Sequence, residues 1–170
     1  MAARKRYAQV GTGGRASFFY EAIAGTYRET SELVAFCDVN PTRMALANRT
    51  IARHGAASVP TFTPDRFDEM VRTTKPDTVI VTSIDRTHHR YIVRAMELGC
   101  DVISEKPMTV DEVKCQEILD AIARTGRKLR VTFNYRYAPH STKVRELVRD
   151  GAIGSVTGVH FEWVLDTSHG

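Results

Sequence analysis

Gly11-Thr12-Gly13-Gly14-Arg15-Ala16 is the stretch whose reading decides the fold. It fits the pattern G-x-G-x-x-A. In that pattern the first glycine permits a tight turn, the second lets the backbone approach a pyrophosphate, and Ala16 keeps a helix close to a strand. A helix opening at this point adds free N–H donors and a partial positive charge. Upstream, residues 6–10 read as a short strand. Downstream, Phe19, Ala22, Ile23 and Thr26 or Tyr27 recur at helical spacing. Asp38 ends the next strand, at 32–37, about 20 residues beyond the turn, where an acid bonds the ribose hydroxyls of an adenosine. A glycine turn alone is a weak signal, equally readable as a helix cap with no ligand. Strand, turn, helix and acid together imply a nucleotide.

Working outward, strand and helix signals alternate to about residue 137. Asn40-Pro41 is an N-cap followed by proline at the first helical position, opening a helix that stops at Gly55. A short strand near 59–62 leads to Thr63-Pro64, the same signal, with Phe67, Met70 and Val71 as the apolar stripe. Residues 78–82 form a β-branched run, as in a strand covered on both faces. Ile92, Ala95 and Met96 mark a helix ending at Gly99, and 101–104 is the next strand. Thr109-Val110-Asp111-Glu112 has the capping-box pattern before a helix that ends at Gly126. Residues 129–135 read as the last strand of the series. This order predicts an α/β fold: a doubly wound parallel sheet of the Rossmann type with right-handed crossovers. The dinucleotide-binding domain is expected over 1–138.

After Pro139 the pattern changes. Val144, Leu147 and Val148 give a short amphipathic helix closed by Gly151. Over 155–165, Val159, Phe161, Trp163 and Leu165 alternate with other residues at period two, as in a half-buried strand of an antiparallel sheet. Residues 139–170 are expected to open a second, α+β domain and to leave it incomplete.

The bulk numbers narrow the classes. Hydrophobic residues are 42% and charged residues 26% of the chain, which is ordinary globular composition. No apolar run approaches the roughly 20 residues that span a bilayer, so no membrane partner is expected. The basic start is followed by too short an apolar stretch for a signal peptide. The net charge of +4 is scattered rather than gathered into a basic stripe, so no nucleic-acid partner is expected. Cys37, Cys100 and Cys115 form no CxxC pair and suggest neither a disulfide framework nor a metal site. They read as inert thiols of a reducing cytoplasm.

Three further clusters fall at strand ends. Thr82-Ser83-Ile84-Asp85-Arg86-Thr87-His88 follows the fourth strand and should face the first turn across the crevice where strand order reverses. Thr82 and Ser83 are candidates to bond a cofactor. His88 is either a residue pointing into the crevice or a structural histidine bonded to backbone. Ser104-Glu105-Lys106-Pro107 follows the fifth strand. Its charges are either a surface pair or a lysine at the crevice, where burial would ease proton movement. Asn134 and Arg136 end the sixth strand and are either a half-buried strand end or the lining of the substrate end. At Asp38, repulsion of a 2′-phosphate favours NAD. Arg15 and Arg43 could pair with such a phosphate and keep NADP open, although Arg43 reads equally as a solvated helix residue.

These clusters, in this order, resemble the Gfo/Idh/MocA family of NAD(P)-dependent oxidoreductases. The resemblance rests on Gly11 to Ala16, Asp38, the loop at 82–88, Glu105-Lys106-Pro107, residues 134–139 and the run 147–154. Glu-Lys-Pro after a Rossmann strand is the most specific of these. The resemblance implies hydride transfer between a nicotinamide and a secondary alcohol or ketone of a sugar, cyclitol or related polyol. It implies that Gly11, Thr12, Gly13, Gly14, Arg15 and Ala16 hold the pyrophosphate. It also implies that Glu105 contacts the nicotinamide ribose and that Lys106 is catalytic at the reacting oxygen. Ile84 stands where the family usually has proline. The family's acid or base histidine would lie beyond Gly170, and His169 does not match it. The resemblance further implies a homo-oligomer formed through the second-domain sheet. Two other readings stay open: a cofactor-binding or regulatory protein without catalysis, and a methyltransferase, against which the Glu105-Lys106-Pro107 placement argues.

Overall fold

In the computed structural model, residues 3–164 are described, and the chain divides into two compact units, Met1–Thr132 and Phe133–Gly170. The first unit holds a six-stranded parallel sheet in the order β3-β2-β1-β4-β5-β6. The strands are β1 (Lys5–Val10), β2 (Ser31–Cys37), β3 (Thr61–Phe62), β4 (Thr78–Val81), β5 (Asp101–Glu105) and β6 (Leu129–Thr132). The helices between them are α1 (Ser17–Ala24), α2 (Pro41–Ala52), α3 (Phe67–Thr74), α4 (His88–Glu97) and α5 (Glu112–Thr125). The doubly wound sheet expected from the sequence is thus present.

Side-chain alternation divides the core in two. Ile80 and Phe36 meet Tyr20 and Ile23 of α1 and Met44, Ala47 and Ile51 of α2. Ala8, Val10, Val79, Val81 and Val102 meet α3, α4 and α5 through Met70, Ile92, Met96 and Ile118. All four residues of β4 are buried, so its unbroken β-branched run is that of a strand covered on both faces. Tyr20 packs edge-on against Phe36 with ring centroids 5.5 Å apart, an arrangement worth about 0.5–1.5 kcal/mol beyond the area it buries.

Strand register brings distant residues level with one another. Val10 pairs with Cys37 on one side and Val81 on the other, Val81 pairs with Ser104, and Glu105 pairs with Thr132. Gly11, Asp38, Thr82 and Glu105 therefore line one edge of the sheet. The order reverses between β1 and β4, which is where an open α/β sheet leaves a crevice.

The structure departs from expectation in three places and supplies, at the end of α3, a stop the sequence did not mark. The last strand ends at Thr132 rather than 135, because its neighbour β5 ends at Glu105 and Phe133 turns away with ψ of 75°. The α5 N-cap is Asp111, not Thr109. The Asp111 carboxylate accepts from Lys114 N at 2.9 Å and also meets the Lys114 ammonium, while the buried Thr109 hydroxyl finds no partner. A carboxylate beside the positive end of a helix is the stronger cap. Helix α3 ends on Lys75 in the left-handed region, with φ of 45°, where no glycine advertised a stop. In the second unit, α6 (Pro139–Arg149) forms as the periodicity indicates, but residues 155–164 form no strand. A strand is defined by its ladder, and among the described residues this segment has no strand beside it. Leu165 and His169 lie outside the described residues.

Candidate functional site

The first turn is built by its neighbours. Gly11 has φ of +86°, and a Cβ there would stand 2.5 Å from the Thr82 carbonyl carbon and oxygen and 2.6 Å from Ser83 N. Only glycine fits, because the backbone after β4 crosses immediately above it. Thr12 is buried. Its N–H and its hydroxyl both donate to Asp38 Oδ2, at 2.5 and 2.8 Å, and Asn40 N donates to Asp38 Oδ1 at 2.8 Å. The acid at the end of β2 thus first fixes the turn, and three of the roughly four acceptor positions of its carboxylate are taken.

Beyond Thr12 the turn opens. Ala16 N donates to Gly13 O, the first hydrogen bond of a 3-10 turn (Gly14–Ala16) that leads into α1. The N–H groups of Gly13, Gly14 and Arg15 precede that bond and have no acceptor within the helix. Gly13 has φ of −70°, open to any residue. A Cβ on Gly14 would meet nothing within 4 Å, and one on Gly13 only Arg43 Nη1 at 3.6 Å. Packing therefore demands glycine at 11 but not at 13 or 14. What those two glycines preserve is open space beside free N–H donors, which fits a pyrophosphate. Ala16 is fully buried under the turn. Arg43 lies close to the turn rather than out on a remote helix face.

The loop after β4 is bonded inward. The Thr82 hydroxyl lies 2.8 Å from Gly11 O and 3.1 Å from Val10 O and accepts from Gln9 Nε2 at 3.2 Å. Gln9 also donates to Ala16 O at 3.0 Å. Sequence reasoning missed Gln9. It is a fully buried amide in a β-strand, and a polar residue at a core position of an otherwise apolar strand was the available signal. Ser83 Oγ lies 2.8 Å from Thr87 Oγ1, whose own proton goes to Ile84 O, so Ser83 is the donor and keeps its lone pairs.

His88 does not point an open nitrogen into the crevice. It is 1% exposed, with Nδ1 2.8 Å from Pro107 O and Nε2 2.9 Å from Ser83 O. The backbone-bonded alternative holds, and His88 is withdrawn from the cofactor-contacting set.

At the end of β5, Glu105 is 5% exposed and bonded at both carboxylate oxygens. Its Oε1 accepts from Arg15 Nε at 2.9 Å and from the Thr132 hydroxyl at 2.9 Å, and its Oε2 accepts from Lys106 N at 3.0 Å. The Arg15 guanidinium also lies 5.0 Å from the centre of the Phe18 ring. The Arg15–Glu105 pair reaches across the crevice from the turn after β1 to the end of β5. Lys106 is exposed rather than buried, and its ammonium has no bonded partner among the described residues. Asn134 and Arg136 belong to the second unit, where both are exposed on a 3-10 turn (Asn134–Tyr137).

Cys37, the last residue of β2, has no reactive character, because burial and the neighbouring charge of Asp38 push its thiol up to about 12. A hollow of about 980 Å³ lies at the opposite end of the strands, around Arg6, Glu32 and His54. Its polar groups hold structure: Arg6 donates to Thr74 O and Lys75 O at the end of α3. The chemistry-bearing groups are at the other edge. No group of three His, Cys, Asp or Glu among the described residues could hold a metal ion, and no helix there is long and apolar enough to cross a membrane.

Comparison with known proteins agrees with this geometry. The YteT protein of Bacillus subtilis (strain 168) is 40% identical over 154 residues, 91% of this chain and 36% of that protein. The D-glucoside 3-dehydrogenase of Escherichia coli (strain K12) is 32% identical, covering 89% of this chain and 41% of the relative. The chain thus spans well under half the length of the curated relatives it matches. Among solved structures, scyllo-inositol dehydrogenase from Lactobacillus casei with bound NAD(H) and scyllo-inositol superposes with a TM-score of 0.78 at 26% identity. That match covers 91% of this chain and 44% of the other. Residues 5–133 match the family model described as "Oxidoreductase family, NAD-binding Rossmann fold". The chain belongs to that family, Gfo/Idh/MocA.

Proposed function

We propose that this chain is the cofactor-binding portion of an NAD-dependent oxidoreductase acting on a secondary alcohol or ketone of a sugar, cyclitol or related polyol. The observation that carries the reading is the open cradle at Gly13 and Gly14, which no packing in the protein requires, beside an acid fixed at the end of β2. The free N–H groups of Gly13, Gly14 and Arg15 hold the pyrophosphate, and Asp38 offers its remaining acceptor position to the adenosine ribose. Thr12 acts through Asp38 and Thr82 through Gly11, while Ser83 keeps lone pairs for the ligand. The nicotinamide supplies the hydride donor or acceptor when bound. Lys106 orients the substrate oxygen and moves its proton, a role supported by its exposed ammonium, unbonded among the described residues, next to the anchored Glu105.

Residues 139–170 open the second domain, whose sheet would carry a homo-oligomer contact. The free, largely buried cysteines suit a reducing cytoplasm. The experiment is a fluorescence titration of the folded chain with NADH and NADPH. Saturable NADH binding that is weakened by Gly14→Ala is expected, and no binding of either cofactor refutes the reading. In a protein carrying the full family length, Lys106→Ala should lower kcat far more than cofactor affinity, and an unchanged kcat removes its role.

A further inference from the structure

His88 is an unusual histidine for a protein core. It is 1% exposed, and both ring nitrogens face carbonyl oxygens, Pro107 O at 2.8 Å and Ser83 O at 2.9 Å. A neutral ring carries one N–H and can donate to only one of them, and an imidazolium donates to both. The ring thus stands between the loop after β4 and the loop after β5, bonded to one of them as a neutral tautomer and to both as an imidazolium.

The second loop needs such a bridge. Residues 106–111 are neither helix nor strand, so side chains must hold the Lys106 backbone in place. Glu105 Oε2 takes the Lys106 N–H at 3.0 Å, and the carbonyl one residue further, on Pro107, faces His88 Nδ1. Lys106 is gripped on both sides while its ammonium is exposed and unbonded among the described residues.

We propose that His88 is a positioning residue for the Lys106–Pro107 backbone, acting through the Pro107 carbonyl, and that this backbone, rather than the Lys106 ammonium, shapes the nicotinamide end of the cofactor site, which His88 itself does not touch. The inference rests on the cofactor reading above. It assigns the two ring nitrogens different work. Nδ1–H donates to Pro107 O and holds the Lys106 loop, while Nε2 faces Ser83 O, to which it donates only in an imidazolium. The adenosine end depends on neither, because Gly11, Thr12 and Asp38 are fixed by their own bonds.

The two nitrogens can be separated by substitution. An asparagine side chain presents its N–H near the place of Nδ1, and a glutamine near that of Nε2. His88→Asn therefore keeps the bond to Pro107, and His88→Gln keeps the bond to Ser83. The test is a calorimetric titration of the wild-type chain and both variants with NADH and with ADP-ribose, which lacks the nicotinamide, after far-UV circular dichroism has established folding. NADH affinity should fall about tenfold in His88→Gln, stay within about threefold in His88→Asn, and ADP-ribose affinity should hold in both, tenfold being about 1.4 kcal/mol. Equal losses for the two variants, or parallel losses for the two ligands, overturn the positioning role and leave a structural histidine. A folded wild-type chain that binds neither ligand refutes the cofactor reading itself.

Discussion

Replacing Gly11 by alanine should destabilise the protein in a way that replacing Gly14 does not. At position 11 two penalties combine. A residue with a Cβ held at positive φ costs about 1–2 kcal/mol, and here φ is +86°. The new Cβ also lies 2.5 Å from the Thr82 carbonyl, and the obstruction is backbone of a loop bonded to Val10, Gly11 and Gln9. Forcing such a contact costs roughly 1–3 kcal/mol. The sum, about 3 kcal/mol, is a large part of a typical stability of about 5–15 kcal/mol. For a chain of this size it lowers Tm by about 6–12 °C. At Gly14 a Cβ meets nothing, so Gly14→Ala should melt within about 2 °C of wild type. Thermal melts followed at 222 nm measure both. If Gly11→Ala melts with the wild type, the close approach of the two strand ends is wrong. If Gly14→Ala falls as far as Gly11→Ala, the space above the turn is not open.

Asp38→Ser should move cofactor preference toward NADPH and also weaken NADH, since it removes the acceptor of both Thr12 bonds; an unchanged ratio of the two dissociation constants sinks the ribose assignment. Asp68 bonds Arg94 across α3 and α4, and Arg94 in turn meets Glu97, which meets Arg124 of α5. The Arg94 guanidinium holds the Asp68 carboxyl below its ordinary range, so its stabilisation is present above the unfolded carboxyl pKa of about 3.9 and is lost as pH falls through the lower folded value. Because the pair is partly solvated, Asp68→Asn should cost less than about 1 kcal/mol at pH 7, and its Tm gap from wild type should close toward pH 2; a gap that persists there refutes the pairing. Burial pushes Cys37 and Cys100 up to about 12 and about 11, whereas Cys115 is partly exposed, so a disulfide reagent at pH 8 should titrate one thiol in the native chain and three after unfolding. Three fast native thiols would contradict the buried end of β2 at Cys37 and the buried approach to β5 at Cys100.

The sheet was legible because its signals are local. The β-branched run of β4, the Asn40-Pro41 start of α2 and the glycine stop after α5 each act over a few residues. The turn was legible in role: the motif gave Gly11 the tight turn and Gly13 the approach to a ligand, but not that the crossing backbone at Thr82 and Ser83 is what requires glycine at 11. Gly13 and Gly14 are the ones left for a ligand. The bonds of His88, Glu105 and Thr82 were not legible, because their partners lie 19, 90 and 71 positions away along the chain. Only the sheet register brings them together. The strand expected over 155–165 shows the other limit, since period two reports which face a segment would bury and not whether a neighbour stands beside it.

The contacts around the crevice form a closed circuit. Gly11 is tied to Thr82, the adjoining Ser83 to His88, His88 to Pro107, Lys106 to Glu105, and Glu105 to Arg15, which returns to the turn where the circuit began. In an open chain of contacts each break frees one end. In a closed one, every member is held from two directions, so each contact has already removed the freedom its neighbours would lose. The conformational entropy of ordering the rim is thus settled during folding, before any ligand arrives. Association at this edge should then proceed with little backbone rearrangement, and its unfavourable entropy should come mainly from the ligand.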